Sequence, residues 1–484
     1  MTTEHFDVLI VGAGISGIGA GCHLQQKCPG KSFLILEGRE ALGGTWDLFR
    51  YPGIRSDSDM YTLGYTFKPW THAKAIADAP HILDYLRETV TENNLEPHIR
   101  YQHRVLKARW SSEKARWVIE VEQPGETENT YISCNFLHMC SGYYNYAAGY
   151  TPEFSGTEKF TGNIVHPQQW PEDLDYQGKK VIIIGSGATA VTLLPSMAKT
   201  AGHVTMLQRS PSYVVSRPAE DGFANGLRKV LPARWAYFLA RWENILAQLF
   251  VYRRFQKSPE HSKKLLLDRV RKELGPDYDI DTHFTPKYNP WDQRLCLVPD
   301  SDMFESIRNG SASVVTDRID TFTEKGLLLS SGKELEADLV VTATGLNLQF
   351  LSDVEFSVDD KTIALNETLI YRGMMLSGVP NMALSMGYTN ASWTLKCDLT
   401  CDYICRLLNH MEQHGLTRCV PANSDPTLET EPYMTLAAGY IERSQHLFPR
   451  QGLQEPWKLY QNYLKDIFML RYRNLEDGVM EFSD

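Results

Sequence analysis

Three glycines near the start of the chain have the spacing of a nucleotide-binding turn. Gly12, Gly14 and Gly17 follow an apolar segment, and the acidic Glu37 stands twenty residues after the third glycine. Such glycines allow a tight turn, a close approach of a pyrophosphate to the start of a helix, and close packing of that helix on the strand; the acid can bind ribose hydroxyls. The spacing therefore predicts a dinucleotide site, with an ordinary glycine-rich turn as the alternative.

A second glycine motif recurs in the middle of the chain, at Gly185, Gly187 and Ala190. The apolar segment that follows it ends without an acid and is succeeded by Arg209 and Ser210. A carboxylate would repel a 2′-phosphate, whereas an arginine and a hydroxyl can bind one. The second site is therefore predicted to take NADP rather than NAD, unless Arg209 is an ordinary surface residue.

The elements that position both motifs are apolar segments of strand length, each followed by a helix of small residues. This pattern predicts an α/β chain with two Rossmann-like dinucleotide-binding domains, one for FAD and one for the NADPH that reduces it. No two cysteines have the close spacing of a redox pair, so the pattern does not favour a disulfide reductase. The expected order is the FAD-binding domain, first part, at 1–145; the NADP-binding domain, first part, at 146–217; a helical insertion at 218–290; the NADP-binding domain, second part, at 291–379; and the FAD-binding domain, C-terminal part, at 380–484.

The insertion at 218–290 is expected to cover a substrate cleft. Its apolar residues recur at helical spacing, and charged residues interrupt them before the run reaches the length of a membrane span. Peripheral contact of the helix at 233–250 with a membrane is the alternative. The recurring residues are Trp235, Phe238, Trp242, Leu246 and Leu249.

The net charge and the cysteines indicate which partners and which cellular compartment to expect. The formal charge is −10, which opposes binding to nucleic acid. The nine cysteines show no disulfide framework, so a cytoplasmic location is expected. Cys397, Cys401 and Cys405 form one helical stripe, which indicates packing rather than a metal site.

One further string carries a resemblance to a known family. Phe160, Gly162, His166, Trp170 and Pro171 form the pattern FxGxxxHxxxWP. This pattern resembles the fingerprint of Baeyer–Villiger monooxygenases, which are class B flavoprotein monooxygenases. The related nitrogen- and sulfur-oxidising enzymes share its first half but usually lack the Trp-Pro ending.

Other strings extend the resemblance over essentially the whole chain. Gly44 and Trp46, with the sequence that continues to Asp57, resemble the second fingerprint of the family. Three more strings are similar to the ethionamide-activating branch of that family. They lie at 289–299, 387–393 and 456–463.

The resemblance implies a reaction and the residues that serve it. An enzyme of this family uses FAD, NADPH and molecular oxygen to convert ketones to esters or lactones through a C4a-peroxyflavin, and can also oxidise sulfur compounds such as thioamides or sulfides. Arg294 matches the catalytic cation and Asp57 the acid that orients it and lies by the cofactor. Gly44 and Trp46 are expected near the flavin, and a helix beginning at Asn390 is expected to point at it.

Three expectations remain open in this interpretation. His166 is expected to link domains and position NADP rather than react. Gln293 stands where many members have lysine, so the preference for NADPH is expected to be weaker than usual. A monooxygenase acting mainly on sulfur or nitrogen, or a flavin redox sensor without turnover, are the alternative functions. The sequence does not indicate an oligomeric state.

Overall fold

A computed structural model of the chain describes residues 3–293 and 295–484. The helices in this part of the chain are α1 (Ile15–Lys27), α2 (Thr45–Leu48), α3 (Met60–Leu63), α4 (Ala79–Glu92), α5 (Ala188–Met197), α6 (Gly222–Arg228), α7 (Ala233–Lys257), α8 (Pro259–Leu274), α9 (Ile280–His283), α10 (Asp302–Arg308), α11 (Trp393–His414), α12 (Gly439–Ser444) and α13 (Tyr463–Ile467).

The strands are distributed over the whole chain. They are β1 (Glu4–Val11), β2 (Phe33–Leu36), β3 (Ile99–Arg100), β4 (Arg104–Ser111), β5 (Arg116–Glu122), β6 (Thr130–Met139), β7 (Tyr144–Gly149), β8 (Asn163–Val165), β9 (Lys180–Ile184), β10 (His203–Gln208), β11 (Val214–Arg217), β12 (Cys296–Pro299), β13 (Ala312–Thr316), β14 (Ile319–Phe322), β15 (Gly326–Leu329), β16 (Glu334–Glu336), β17 (Leu339–Thr342), β18 (Leu346–Leu348), β19 (Glu355–Val358), β20 (Lys361–Thr362), β21 (Ile370–Tyr371), β22 (Met375–Leu376), β23 (Met382–Leu384), β24 (Arg418–Pro421), β25 (Thr430–Pro432), β26 (Arg450–Gly452) and β27 (Met480–Ser483).

The first large sheet contains β1 near its centre, in the order β20-β19-β4-β5-β6-β1-β2-β3, with β23 also paired to β6. Strand β1 runs parallel to both β2 and β6. Val8 and Ile10 pack in the core on one face of this sheet, and Leu9 and Val11 pack in the core on the other. Because side chains alternate along a strand, the uninterrupted apolar run of β1 reflects burial on both faces.

The second sheet consists of five parallel strands in the order β13-β10-β9-β17-β8. Its central strand β9 also alternates between two cores: Val181 and Ile183 face one, and Ile182 and Ile184 face the other. The predicted α/β architecture with two Rossmann-like sheets is therefore confirmed.

One antiparallel ribbon carries both connections between the sheets. The chain leaves the first sheet after β6 through β7, and it leaves the second sheet after β17 through β18. These two strands pair with each other, with Leu346 opposite Gly149 and Leu348 opposite Tyr144. The crossings are thus one structural unit.

The predicted insertion lies between β11 and β12, which pair in parallel. The chain between them forms the four helices α6–α9. Helix α7 is fixed to the first part of the chain by Arg241, whose Nη1 donates to the carbonyl oxygens of Tyr61 and Gly64, each at 2.7 Å. The exact domain boundaries stay a prediction. Within the described ranges, no helix has the length and apolar character needed to cross a membrane.

Candidate functional site

The three glycines after β1 serve three different purposes. Gly12 has a φ of +105°, and a Cβ there would lie 2.7 Å from the carbonyl oxygen of Cys140. At Gly17 a Cβ would lie 1.8 Å from the carbonyl oxygen of Gly12. At Gly14, in contrast, the nearest atom would be the Cα of Gly44 at an ordinary 3.6 Å. The protein itself requires glycine at the first and third positions, whereas the open space at Gly14 fits a cofactor that approaches the backbone.

Glu37 lies at the end of β2 and is buried. Its Oε2 accepts a hydrogen bond from the backbone N–H of Ala13 at 2.7 Å, and its Oε1 accepts one from Arg39 at 2.9 Å. Burial raises the pKa of Glu37, although these two donors oppose the shift. Each carboxylate oxygen keeps a lone pair beyond these bonds, so the residue can hold the glycine turn and still accept from a ribose hydroxyl.

The loop with Gly44 and Trp46 lies directly against this turn. The backbone N–H of Gly43 donates to the carbonyl oxygen of Ala13 at 3.0 Å. Gly44 has a φ of +56°, and a Cβ there would lie 3.2 Å from the Cα of Gly14. Trp46 is half-buried and packs against the core beside the first sheet. The fold therefore brings the two sequence motifs together at the carboxyl end of β1.

Helix α11 begins at the same place. The Nε1 of Trp393, its first residue, donates to the Oγ of Ser16 in α1 at 2.8 Å. Two helix N-termini, each a centre of partial positive charge, therefore converge on the turn, which suits an anionic cofactor. This helix starts three residues after the expected Asn390.

Asn390 is held outside the helix by the C-terminal segment. Its Nδ2 donates to the carbonyl oxygen of Gln461 at 3.0 Å, and the N–H of Thr389 donates to the Gln461 side chain at 3.0 Å. These bonds explain why the backbone is not yet helical at Asn390. Its Oδ1 is buried and has no hydrogen-bond donor among the described residues. A buried acceptor without a donor is costly, so this atom also fits a bound polar group.

The second motif has the same local geometry at the end of β9. Gly185 has a φ of +140°, and a Cβ there would lie 2.3 Å from the carbonyl oxygen of Ala343. Gly187 caps the start of α5, and no atom lies within 4 Å of the position that a Cβ would take there. Ala190 occupies the position of the third glycine of the motif, and it is fully buried against the second sheet. This turn can also receive a pyrophosphate.

Arg209 and Ser210 follow β10 and are both exposed. The Oγ of Ser186, inside the glycine turn, donates to the carbonyl oxygen of Ser210 at 2.9 Å, which links this segment to the nucleotide turn. Over 3–293 and 295–484, the structure gives the Arg209 guanidinium no hydrogen bond or ion pair. The side chain is therefore available for a phosphate next to the second turn.

His166 ties the fingerprint string to the ribbon of β7 and β18. Its Nδ1 accepts from the N–H of Gln168, so its Nε2 carries the proton and donates to the carbonyl oxygen of Gly345 at 3.1 Å. A Cβ at Gly149 would lie 1.9 Å from the imidazole ring. Burial lowers the pKa of His166, which keeps the ring neutral.

The rest of the fingerprint serves the second sheet. Phe160 packs on Phe322, with ring centroids 5.9 Å apart, and Trp170 packs on Tyr176. A Cβ at Gly162 would lie 2.4 Å from the carbonyl oxygen of Asp338, and Pro171 is exposed. The fold does not bring these residues to the first glycine turn.

The structure describes Asp57, one member of the predicted catalytic pair. Arg294 lies outside the described residues, so its pairing with Asp57 stays a prediction. Asp57 is exposed in the loop before α3. Nearby, Arg55 donates from Nη1 to the carboxylate of Asp302 in α10 at 2.5 Å. This ion pair joins the first part of the chain to the segment after the insertion.

A buried charged cluster, which the sequence motifs do not predict, lies behind the first nucleotide site. The Nε2 of His23 lies 3.3 Å from Asp398, and its Nδ1 lies 3.4 Å from Asp402; Arg241 lies 3.6 Å from Asp398. Burial opposes the charged form of His23, but the hydrogen bond to Asp398 and the negative charges of both aspartates outweigh it and raise the pKa. The only signal in the sequence is the four-residue spacing of the two acids along α11.

The cysteine stripe on α11 is a packing feature. Cys397, Cys401 and Cys405 are buried, as are the other six cysteines, and all nine are free thiols. In the part of the chain that the structure describes, no three His, Cys, Asp or Glu residues are grouped to hold a metal ion.

Comparison with known proteins gives consistent matches. Residues 67–384 match the family model described as flavin-binding monooxygenase-like, and residues 10–87 match the NAD(P)-binding Rossmann-like domain. The chain is 52% identical over 482 residues to the FAD-containing monooxygenase EthA of Mycobacterium tuberculosis (strain ATCC 25618 / H37Rv), covering 99% of this chain and 98% of that protein. It is 49% identical to the probable FAD-binding monooxygenase AlmA of Acinetobacter baylyi, covering 99% and 96%.

Solved structures share the fold over most or all of the chain. An oxidized steroid monooxygenase bound to NADP has a TM-score of 0.76 at 21% identity, covering 99% of this chain and all of that chain. A closed structure of cyclohexanone monooxygenase has a TM-score of 0.68 at 21% identity, covering 87% of each chain.

Proposed function

The chain belongs to the flavin-binding monooxygenase-like family, and we propose that within this family it is a Baeyer–Villiger enzyme that converts ketones to esters or lactones. Its class, a flavoprotein monooxygenase, and its FAD follow from the family and from its relatives over the full chain. NADP as the second cofactor is supported by the second glycine turn and by the structural neighbour that is bound to NADP. What we propose beyond this is the substrate class, namely ketones.

The observation that carries the proposal is the complete FxGxxxHxxxWP string from Phe160 to Pro171. Its Trp-Pro ending favours ketone oxidation over the purely heteroatom-oxidising enzymes it otherwise resembles. In this protein the string lies away from the first glycine turn, and His166 holds the ribbon that joins the two nucleotide sites. The string therefore supports the proposal through the relative placement of two cofactors rather than through contact with a substrate.

The residues present fit both cofactors. When bound, FAD accepts hydride from NADPH and activates oxygen for transfer. The turn at Gly14 and the starts of α1 and α11 would hold the FAD diphosphate, and the buried Oδ1 of Asn390 would accept a hydrogen bond from an N–H or O–H group elsewhere on the cofactor. Arg209 and Ser210 would hold the 2′-phosphate of NADPH.

The predicted pair of Arg294 and Asp57 would control charge at the site of oxygen transfer. A nucleophilic attack on a ketone carbonyl requires negative charge to be stabilised in a water-excluded site, and a permanent guanidinium can supply this. Asp57 would orient the guanidinium. A cation fixed in this way favours attack on carbonyl carbon over attack on sulfur.

The test is product analysis with purified holoenzyme, NADPH, oxygen and a panel of linear and cyclic ketones, sulfides and thioamides. The sulfur compounds are included because of the resemblance to the ethionamide-activating branch. We expect esters or lactones, with one NADPH oxidised per product, and sulfoxides as additional products. Oxidation of the sulfur compounds with no ester from any ketone would overturn the proposal in favour of a heteroatom monooxygenase.

A variant pair sharpens this test. Arg294→Ala should still be reduced by NADPH and release hydrogen peroxide, while ester formation falls by roughly a hundred- to a thousandfold, because a charge partner of the transition state is lost. The exposed Arg318→Ala removes the same charge elsewhere and should leave the product yield unchanged. An Arg294→Ala enzyme that forms ester at the parent rate would contradict the assigned role.

We also propose a cytoplasmic location. NADPH is a cytoplasmic reductant, and the nine cysteines, all buried free thiols, suit a reducing compartment.

A further inference from the structure

Helix α7 presents an apolar stripe to solvent. At 3.6 residues per turn, six of its side chains lie within an arc of about 120°. Trp235 is 61% exposed, Leu239 41% and Phe250 67%. The full stripe is Trp235, Phe238, Leu239, Trp242, Leu246 and Phe250, of which Trp242 is half-buried and the others are exposed.

The opposite face of α7 is the one that packs on the protein. Ala236, Tyr237, Ala240 and Arg241 are buried there, and the Tyr237 hydroxyl donates to the carbonyl oxygen of Tyr65 at 2.9 Å. The buried face therefore anchors this helix, and the half-buried Trp242 of the stripe also packs against the protein core. The exposure of the stripe is a fixed property of the fold rather than a result of loose packing.

Exposed apolar residues are concentrated in this region. The described residues include fifteen exposed large apolar side chains, and nine of them lie in residues 222–274, about a tenth of the chain. Scattered apolar residues are normal on a protein surface, but a contiguous patch marks an interaction site. The patch continues through Trp242, whose ring lies 6.2 Å from that of Tyr463, towards the exposed pair Phe468 and Tyr472.

The charge around the stripe is opposite in sign to that of the whole protein. Residues 222–274 contain twelve Lys and Arg against four Asp and Glu, a net charge of +8, in a chain whose total is −10. Arg241 is buried, and the other eleven basic residues are exposed or half-buried. Arg253 and Lys257 continue the line of the stripe at the C-terminal end of α7. An apolar face with a basic border is typical of helices that lie in the interface of an anionic membrane.

We propose that α7 docks the protein on an anionic lipid bilayer, lying in the plane of the membrane with the stripe inserted among the acyl chains and the surrounding basic residues on the headgroups. A second copy of this chain is a poorer occupant, because two surfaces of net charge +8 repel each other when they meet face to face. This docking does not depend on the reaction catalysed.

The experiment is flotation of the FAD-loaded protein with vesicles of phosphatidylcholine, alone or mixed equally with phosphatidylglycerol. We expect binding to the mixed vesicles only, lost at about 0.5 M salt, where charges are screened within a few ångströms. Equal binding to both vesicles, binding that salt leaves unchanged, or no binding would each overturn the proposal, and these outcomes require no variant.

Matched variants assign the binding to the stripe. Two double variants should each lower the vesicle partition coefficient at least about tenfold. One combines Trp235→Ser with Leu239→Ser, and the other combines Arg253→Glu with Lys257→Glu. Leu453→Ser removes a side chain that is 40% exposed outside the insertion and should bind as the parent does. All variants should keep their FAD and far-UV circular dichroism because the changed side chains are exposed.

Parent-like binding by the stripe variant would refute the docking surface. Sedimentation provides a second measurement: a parent that self-associates without floating, together with a monomeric stripe variant, would show that a second copy covers the stripe, and the lipid proposal would be wrong.

Discussion

The two glycines Gly14 and Gly17 look alike in the sequence, but the structure predicts opposite consequences when each is changed to alanine. At Gly14 the new Cβ would lie 3.6 Å from the nearest atom, and the backbone is extended (φ −78°, ψ −172°), which any residue adopts. Reduced freedom of the unfolded chain would stabilise Gly14→Ala, and a poorer helix cap would destabilise it, each by less than about 1 kcal/mol. The free energy of unfolding of the apoprotein should therefore barely change.

Binding of FAD should change strongly in the same variant. The methyl group would occupy the space through which a pyrophosphate reaches the N–H groups at the start of α1. Loss of one charge-assisted hydrogen bond costs about 1.5–3 kcal/mol, or roughly ten- to a hundredfold in affinity. Gly17→Ala places its Cβ 1.8 Å from the carbonyl oxygen of Gly12, which forces α1 away from β1 and should destabilise the apoprotein by at least about 1–3 kcal/mol.

The assay uses apoprotein of both variants, with urea unfolding for stability and quenching of flavin fluorescence for FAD affinity. The parent and Gly17→Ala serve as the two references. FAD bound by Gly14→Ala with parental affinity would refute the assignment of the first turn as the FAD site. A loss of stability in Gly14→Ala as large as that in Gly17→Ala would refute the geometric distinction between the two positions.

Three further predictions follow from the site. Arg209→Ala should raise the KM for NADPH by about ten- to a hundredfold and leave that for NADH nearly unchanged, measured by steady-state kinetics with both nucleotides; equal effects would remove Arg209 from the 2′-phosphate site. Gln293→Lys should strengthen the preference for NADPH, and an unchanged ratio of the two KM values would contradict this. The third prediction concerns His23, whose pKa in the folded protein is raised above the usual 6.5. Its positive charge stabilises the folded protein fully below pH 6.5, and this stabilisation is lost as the pH rises through the folded-state pKa. The difference in unfolding free energy between the parent and His23→Gln should thus be largest below pH 6.5 and shrink above it, and a difference that grows with pH in urea unfolding would show that the sign is wrong.

Local features of the fold were accessible from the sequence. The apolar run of β1, the glycines after it and the small residues of α1 are adjacent in the chain, so their types and spacing predict strand, turn and helix together. The same holds for β9 and α5. The helical character of the insertion follows from its periodic apolar residues.

Contacts between distant segments were not accessible. Asn390 bonds to Gln461, 71 residues away, and Arg55 bonds to Asp302, 247 residues away. Neither pair carries a local signal, because the chain between the partners decides whether they meet. The sequence likewise placed His166 in a fingerprint, whereas its hydrogen bond to Gly345 emerges only when two strands from different parts of the chain pair.

The ribbon of β7 and β18 limits the ways in which the two nucleotide-binding sheets can move relative to each other. Sliding one sheet along the ribbon would break the hydrogen bonds between these strands, and twisting one crossing alone would strain the other. Bending across the ribbon breaks none of them. The ribbon therefore permits bending more readily than sliding or twisting, and the angle of that bend would change the separation of the hydride donor and its acceptor.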